Sequence, residues 1–331
     1  MEGKHKGSLT LLLSSAGRRV ELLRLFRSDA EHLGLDLRVV ATDMDAPWSP
    51  ACSEADAYHS VAAADTPAFI DQTLSICGQH SVDLVVPTID LELEPFARHR
   101  ADFHACGTEL AISSLDTVRL ARDKLLTAKL LSDAGIPVPR SATPAEVLAS
   151  PGDWPGPLMV KPRGGWSSLG LRRLSSVSEL SLEDTADDCL VQELLEGEEF
   201  TINLYFDRSG TLACVIPHLR YEVRAGEVSK GVTRHHEEIE AVCWSLGKVL
   251  TGSRGPVCVQ AIVTPDGKIG VFEINARIGG GFPLAHAAGA YFTRWVLEEA
   301  AGLPCSANND WRAGLTMLRY DAAVFIDEPE T

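Results

Sequence analysis

The stretch CVQAIVTPDGKIGVFEINARIGGG, Cys258–Gly281, decides the fold. Two apolar runs flank Asp266-Gly267, a pair whose glycine accepts positive φ and so turns one strand back on the other. With those two residues as the turn, Pro265 pairs with Lys268, and counting outward sets Gln260 opposite Glu273. A four-residue turn keeps that register; a three- or five-residue turn shifts it by one. Side chains alternate along a strand, so Glu273 and Asn275 share a face that Arg277 continues, while Phe272 and Ile274 point to the core. A carboxylate among such apolar neighbours needs a cation. Arg277 supplies one as a structural ion pair. Mg²⁺ supplies another, since it takes one or two carboxylates and completes its shell with phosphates and water. The residues leave both readings open and favour the metal.

Upstream, VQELLEGEEFTINLYFD (Val191–Asp207) places Phe200, Ile202, Leu204 and Phe206 on one face and Glu199, Thr201, Asn203 and Tyr205 on the other, the pattern of a half-buried strand. MVKPRGGWSSLGLRRL (Met159–Leu174) reads as a strand ending in Lys161, a loop with Gly164, Gly165, Ser167, Ser168 and Gly170, and a returning strand. Glycines let backbone N–H groups approach phosphate oxygens and serines add donors, although an ordinary glycine loop fits equally well. No GK[ST] enters a helix, so this is not a Walker loop. The proline-rich Ala142–Pro157 reads as a boundary loop, and a long helix capped near Ser114 or Asp116 ends at Gly135-Ile136-Pro137.

The first third alternates apolar strands (Leu9–Leu13, Leu37–Thr42, Val82–Pro87, Leu110–Ser113) with amphipathic helices, the rhythm of a parallel sheet with right-handed crossovers. Ala16–Arg19, Asp43, Asp90 and Glu92 fall at the C-terminal ends of strands, where open α/β sheets bind ligands. Asp43 after the second strand suggests a nicotinamide-dependent oxidoreductase, but SSAGRR (Ser14–Arg19) holds one glycine where GxGxxG needs three.

The 331 residues suit two or three small domains, and 45% hydrophobic residues supply their cores. A formal net charge of −16 argues against nucleic-acid and anionic-membrane partners, which demand a basic surface. The eight cysteines form no CxxC pair, no secretory signal leads the chain, and no apolar run approaches the roughly 20 residues that span a bilayer. A cytoplasmic protein with reduced thiols is the expectation. Arg220, Arg224, Lys230 and Arg234 grip a carboxylate or phosphate, or are solvated surface charges. His235-His236 reads as a solvated helix start rather than a metal site.

In this order these stretches resemble the ATP-grasp superfamily, in the branch of the carbamoyl-phosphate synthetase large subunit and the pyrrolysine-pathway ligase. SAGRRVELL and VPTIDLELEPFA look like the pre-ATP-grasp domain, RDKLLTAKLLSDAGIPVP like the opening of the ATP-grasp domain, and QELLEGEEFT and FEINARIGGG like its later elements. The resemblance implies a Rossmann-like α/β domain over 1–114 and an α+β ATP-grasp domain over 115–331, with a mobile lid at about 137–192. It implies that Lys124 and Lys161 contact ATP phosphates beneath the Gly164–Gly170 loop, with Gly165, Ser167 and Ser168 in that loop. Glu193 and Leu195 would hold adenine and Glu199 the ribose. Glu273 and Asn275 would bind two Mg²⁺ ions, with Gln260 where relatives often carry a carboxylate, and Arg277 would stabilise the transferring phosphoryl group. Arg18, Asp90, Glu92, Arg224, Lys230 and Gly280 are the substrate-side candidates. The implied activity is ATP-dependent carboxylate–amine ligation through an acyl phosphate, releasing ADP and phosphate. A catalytically silent ATP-binding regulator is the alternative. The implied partners are small molecules, and a homodimer stays open.

Overall fold

The structure, a computed structural model, describes residues 6–164, 170–181, 184, 188–224 and 226–327. Five parallel strands open the chain: β1 (Ser8–Ser14), β2 (Asp36–Asp43), β3 (Ala57–Ser60), β4 (Leu84–Pro87) and β5 (Glu109–Leu110), in the order β3-β2-β1-β4-β5. Five helices fill the connections: α1 (Val20–Leu33), α2 (Pro50–Ser53), α3 (Pro67–His80), α4 (Leu93–Arg98) and α5 (Arg100–Ala105). Helices on both faces bury the central strands completely, which is why their sequences run apolar rather than alternating. β5 is shorter than the run Leu110–Ser113 suggested. Past it the chain leaves the sheet, and Ser114 N–H donates to the Gly252 carbonyl at 2.8 Å.

One long helix was expected next; two are found, α6 (Leu115–Arg122) and α7 (Lys124–Asp133). Asp123 makes the break. Its carboxylate accepts the Leu125 and Leu126 N–H groups at 3.0 and 3.1 Å, capping a new helix inside a helical pattern, and it pairs with Arg163 at 2.5 Å.

The next segment carries β6 (Ser141–Ala142), α8 (Pro144–Ala149), β7 (Leu158–Pro162), β8 (Arg172–Leu174) and β9 (Cys189–Glu193), in a sheet ordered β6-β9-β7-β8. The supposed boundary loop over Ala142–Pro157 is therefore partly helical. Thr143 and Glu146 form a capping box and Pro144 takes the first helical position, where its missing N–H costs nothing. Val147, Trp154, Leu158, Val160, Leu174, Leu180 and Val191 give this segment a small core of its own.

The largest sheet comprises β10 (Glu198–Phe206), β11 (Leu212–Arg224), β12 (Glu227–Thr233), β13 (Gly255–Val263), β14 (Ile269–Asn275) and β15 (Thr316–Leu318), ordered β14-β13-β10-β11-β12-β15. Helices α9 (Glu237–Val249), α10 (Phe282–Ala287) and α11 (Phe292–Ala301) pack with it. β10 is buried on both faces rather than half-buried. Phe200, Ile202, Leu204 and Phe206 join one apolar cluster and Tyr205 the other. Both clusters also draw on the parallel sheet. Buried Asp29 on α1 reinforces that junction, accepting from His286 at 2.9 Å, Thr293 at 2.5 Å and Arg294 at 3.1 Å. Among the described residues no helix is long and apolar enough to cross a membrane, and the eight cysteines are unpaired.

Candidate active site

The β13–β14 hairpin forms one wall of a cleft of about 540 Å³. Gln260 does pair with Glu273, but through two departures that cancel. The turn has three residues, closed by Thr264 N–H donating to the Lys268 carbonyl at 2.9 Å, with Gly267 at φ +85°. That shifts the register by one. A bulge at Phe272 shifts it back, since Ala261 pairs with Val271 while Gln260 pairs with Glu273. Phe272 consequently does not face the core as alternation predicted; it lines the cleft beside Glu273, whereas Ile274 is buried as expected.

The cleft lining brings together Lys124, Lys161, Gln260, Glu273, Asn275 and Arg277, which are far apart in sequence. Lys161 comes from β7 in the four-stranded sheet and is 6% exposed. Burial pushes its ammonium down to about 8; Glu273 opposes that shift and Lys124 adds to it. Lys124 opens α7 beside Asp123, so the helix break sets its position. Gly164 adjoins a small annex that Lys124, Glu273 and Asn275 also line. Gly165, Ser167 and Ser168 lie outside the described residues.

Arg277 does not pair with Glu273. Its Nη2 lies 2.5 Å from Asp90 Oδ2, at the C-terminal end of the parallel sheet. Burial works against the guanidinium's charge, but Asp90 outweighs burial and holds its pKa above the usual value. Among the described residues Glu273 forms no ion pair; its hydrogen bond from Asn275 Nδ2 is long, at 3.4 Å.

At the end of the cleft nearest Gly280 the sequence reading missed most of the apparatus. Arg19, rather than its exposed neighbour Arg18, faces the site and pairs with Glu227 at 2.5 Å. Arg319 pairs with the other Glu227 oxygen at 2.7 Å and donates to the Gly280 carbonyl. Burial pushes the Glu227 carboxyl up, yet Arg19 and Arg319 prevail and hold it below the usual range. A side chain at Gly280 would strike that carboxyl group and could be accommodated only by displacing Glu227 from its arginine partners. Arg19 falls in the Ala16–Arg19 stretch expected at a strand end, whereas Glu227 and Arg319 sit on other elements and no local pattern announces them.

Other candidates fall elsewhere. Arg224 and Lys230 are exposed, pair with Asp321 and Glu222, and take no part in the lining. Glu92 is fully buried. It accepts from Ser14 Oγ at 2.6 Å, Ser15 Oγ at 2.9 Å and the Thr88 N–H at 2.6 Å, so it ties β1 to β4 and cannot reach a substrate. Asp43 accepts the Gly17 N–H at 2.7 Å. Glu193 lines the cleft and pairs with Lys268 at 2.6 Å, next to half-buried Leu194 and buried Leu195. Glu199 pairs with Arg220. His236 caps α9, as a helix start should, and among the described residues no three His, Cys, Asp or Glu side chains cluster as metal ligands.

Two family models match this chain: a PylC-like N-terminal domain over residues 11–111 and an ATP-grasp domain over 121–281. The chain is an ATP-grasp protein with a PylC-like N-terminal domain. It is 36% identical over 115 residues to a D-alanine–D-alanine ligase of Pseudomonas fluorescens, covering 32% of this chain and 36% of that relative. Against the D-alanine–D-alanine ligase of Stutzerimonas stutzeri the figures are 29% over 205 residues, 54% of this chain and 64% of that one. The matches thus span from about a third to just under two thirds of these relatives. Among solved structures, Campylobacter jejuni biotin carboxylase in a β,γ-ATP complex superposes with a TM-score of 0.75 at 13% identity, covering 93% of this chain and 74% of that one. Staphylococcus aureus N5-carboxyaminoimidazole synthetase gives 0.70 at 15%, covering 92% and 80%. At those identities the likeness speaks for the ATP-grasp fold.

Proposed function

We propose that this ATP-grasp protein is an ATP-dependent ligase that phosphorylates a carboxylate and passes the acyl group to an amine, releasing ADP and phosphate. The observation that carries the reading is the convergence of Lys124, Lys161, Glu273, Asn275 and Arg277 on one cleft. A structure related in fold, the biotin carboxylase domain of Hydrogenobacter thermophilus 2-oxoglutarate carboxylase, was solved with MgADP and bicarbonate. A half-buried carboxylate with no ion-pair partner among the described residues, flanked by two amides, suits a divalent cation. Glu273 and Asn275 would hold Mg²⁺, and Gln260 would give a second ion only a neutral ligand. Bound Mg²⁺ would neutralise phosphate charge.

The protein's own groups position and neutralise. Leu195 and Glu193 border the adenine end, Glu199 the ribose, and Lys124 and Lys161 the phosphates. Asp90 fixes Arg277, which lines the cleft and would meet charge developing on the transferring phosphoryl group. Arg19, steadied by Glu227, would receive the acid substrate. The lid, about residues 137–192, would exclude water between domains divided near residue 114. Burial pushes the Cys258 thiol up to about 12, so it stays protonated and serves as core. The nicotinamide reading is disfavoured because the loop after β1 holds one glycine where GxGxxG needs three. The test is a screen of ADP release with carboxylic acids crossed with amines. ATP binding without release for any pair would favour the silent regulator.

A further inference from the structure

Lys161 is held from behind, not by the carboxylates of the cleft. Its Nζ donates to Gln192 Oε1 at 2.8 Å, Gln192 Nε2 donates to Ser141 Oγ at 2.8 Å, and Ser141 Oγ donates to the Pro139 carbonyl at 2.9 Å. We propose that Gln192 and Ser141 are positioning residues for the nucleotide phosphates, acting through Lys161; this rests on the ATP reading above. Each link fixes the next. A hydroxyl has one hydrogen, and Ser141 gives its hydrogen to Pro139, so it can only accept from Gln192. The Gln192 amide is thereby oriented with its oxygen toward the ammonium.

The strands impose the same geometry. Gln192 pairs with Ser141 on one side and Met159 on the other, and Lys161 stands two residues along β7 from Met159, on the same face. Gln192 and Lys161 are 5% and 6% exposed, so water does not readily substitute for either partner. Among the described residues Gln192 is the acceptor for the Lys161 ammonium, and burial already weighs against that charge. The chain enters the lid at Ser141, which couples the direction of the ammonium to the seating of the lid. Gln192 also lies three residues from Leu195, so direct contact with adenine is the competing role, and the two differ in which part of the nucleotide feels the mutation.

The experiment is calorimetric titration of the full chain with MgATP and, separately, adenosine, for wild type, Gln192→Ala, Ser141→Ala and Ser141→Thr. Gln192→Ala should weaken MgATP about tenfold, the change that 1.4 kcal/mol produces, and Ser141→Ala about threefold. Both should leave adenosine within about twofold, and Ser141→Thr, which keeps the hydroxyl, should restore MgATP binding. If Gln192→Ala fails to fold, Ser141→Ala decides. Equal losses for adenosine and MgATP would make Gln192 an adenine contact and overturn the relay, as would wild-type MgATP affinity in Ser141→Ala. A wild-type protein that binds no MgATP overturns the ATP reading itself.

Discussion

Asp90→Ala separates the two carboxylates that surround Arg277. Asp90 and Arg277 form the close pair, at 2.5 Å, with side chains 22% and 16% exposed. Removing one partner of a buried pair costs about 3–5 kcal/mol, because the other charge stays behind uncompensated. Both groups border the cleft, which places the cost near the lower end, about 3 kcal/mol. For a chain of this length that lowers the melting temperature by about 4 °C. Arg277→Met removes the stranded charge, so the double variant should recover part of the loss, with a coupling of about 2 kcal/mol. Glu273→Gln breaks no ion pair and should shift apo stability by less than about 1 kcal/mol. Its ATP turnover should nevertheless fall about 100-fold or more, because Mg²⁺ would lose the carboxylate that Glu273 would supply. The assay is apo melting temperature for the four proteins of the cycle, beside turnover at saturating Mg²⁺ for Glu273→Gln. Additive effects of Asp90→Ala and Arg277→Met would refute the pairing. An early-melting Glu273→Gln protein with near-normal turnover would mean that Glu273 is a structural group and not a metal ligand.

MgATP at 100 times its dissociation constant should stabilise the protein by about 2.7 kcal/mol in a melting assay, and NAD⁺ should not; the reverse pattern contradicts the ligase reading. Because burial pushes Lys161 down from 10.5 to about 8, the unfolded chain binds more protons between those pH values, and stability rises as pH climbs through the window by an amount on the order of 3 kcal/mol. Below pH 8 that cost is fully present. Lys161→Met should therefore melt above wild type at pH 7 and converge with it by about pH 10.5; parallel melting curves would argue against it. Gly280→Ala, which pushes a methyl group into the Glu227 carboxyl, should retain MgATP binding in calorimetry and lose acid-dependent ADP release. Retained release would detach Glu227 from the acid substrate.

What the sequence made legible was local. The hairpin at Asp266-Gly267, the parallel strands and the half-closed cleft wall follow from turn chemistry and side-chain period. Gln260 met Glu273 only because a three-residue turn and a bulge offset each other, and neither departure has a signature in the apolar pattern. The missed helix α8 was legible: Thr143, Pro144 and Glu146 spell a capping box, obscured by proline density. The long helix failed at Asp123 for a related reason, an Asp able to cap a helix in the middle of an apolar repeat. The ion pairs were not legible. Asp90 and Arg277 are separated by 187 residues, and Arg19 and Glu227 by 208, so only the packing of one sheet end against the other brings them together.

The segment beyond the ATP-grasp match makes the same point for charge. That match stops at residue 281. Past it, Trp311 Nε1 donates to the buried Val215 carbonyl at 2.9 Å and β15 pairs with β12, which brings Arg319 onto Glu227. Without that return, Glu227 and Arg19 would cancel one another. With it, two guanidinium groups share one carboxylate and leave an excess of one positive charge at the end of the cleft away from the adenine side. The segment beyond residue 281 thus supplies the charge that would receive an acid. Arg319→Ala should accordingly leave nucleotide binding intact while raising the KM for any acid that the release screen identifies, because it removes an anion partner without touching the Lys161 and Glu273 end of the site.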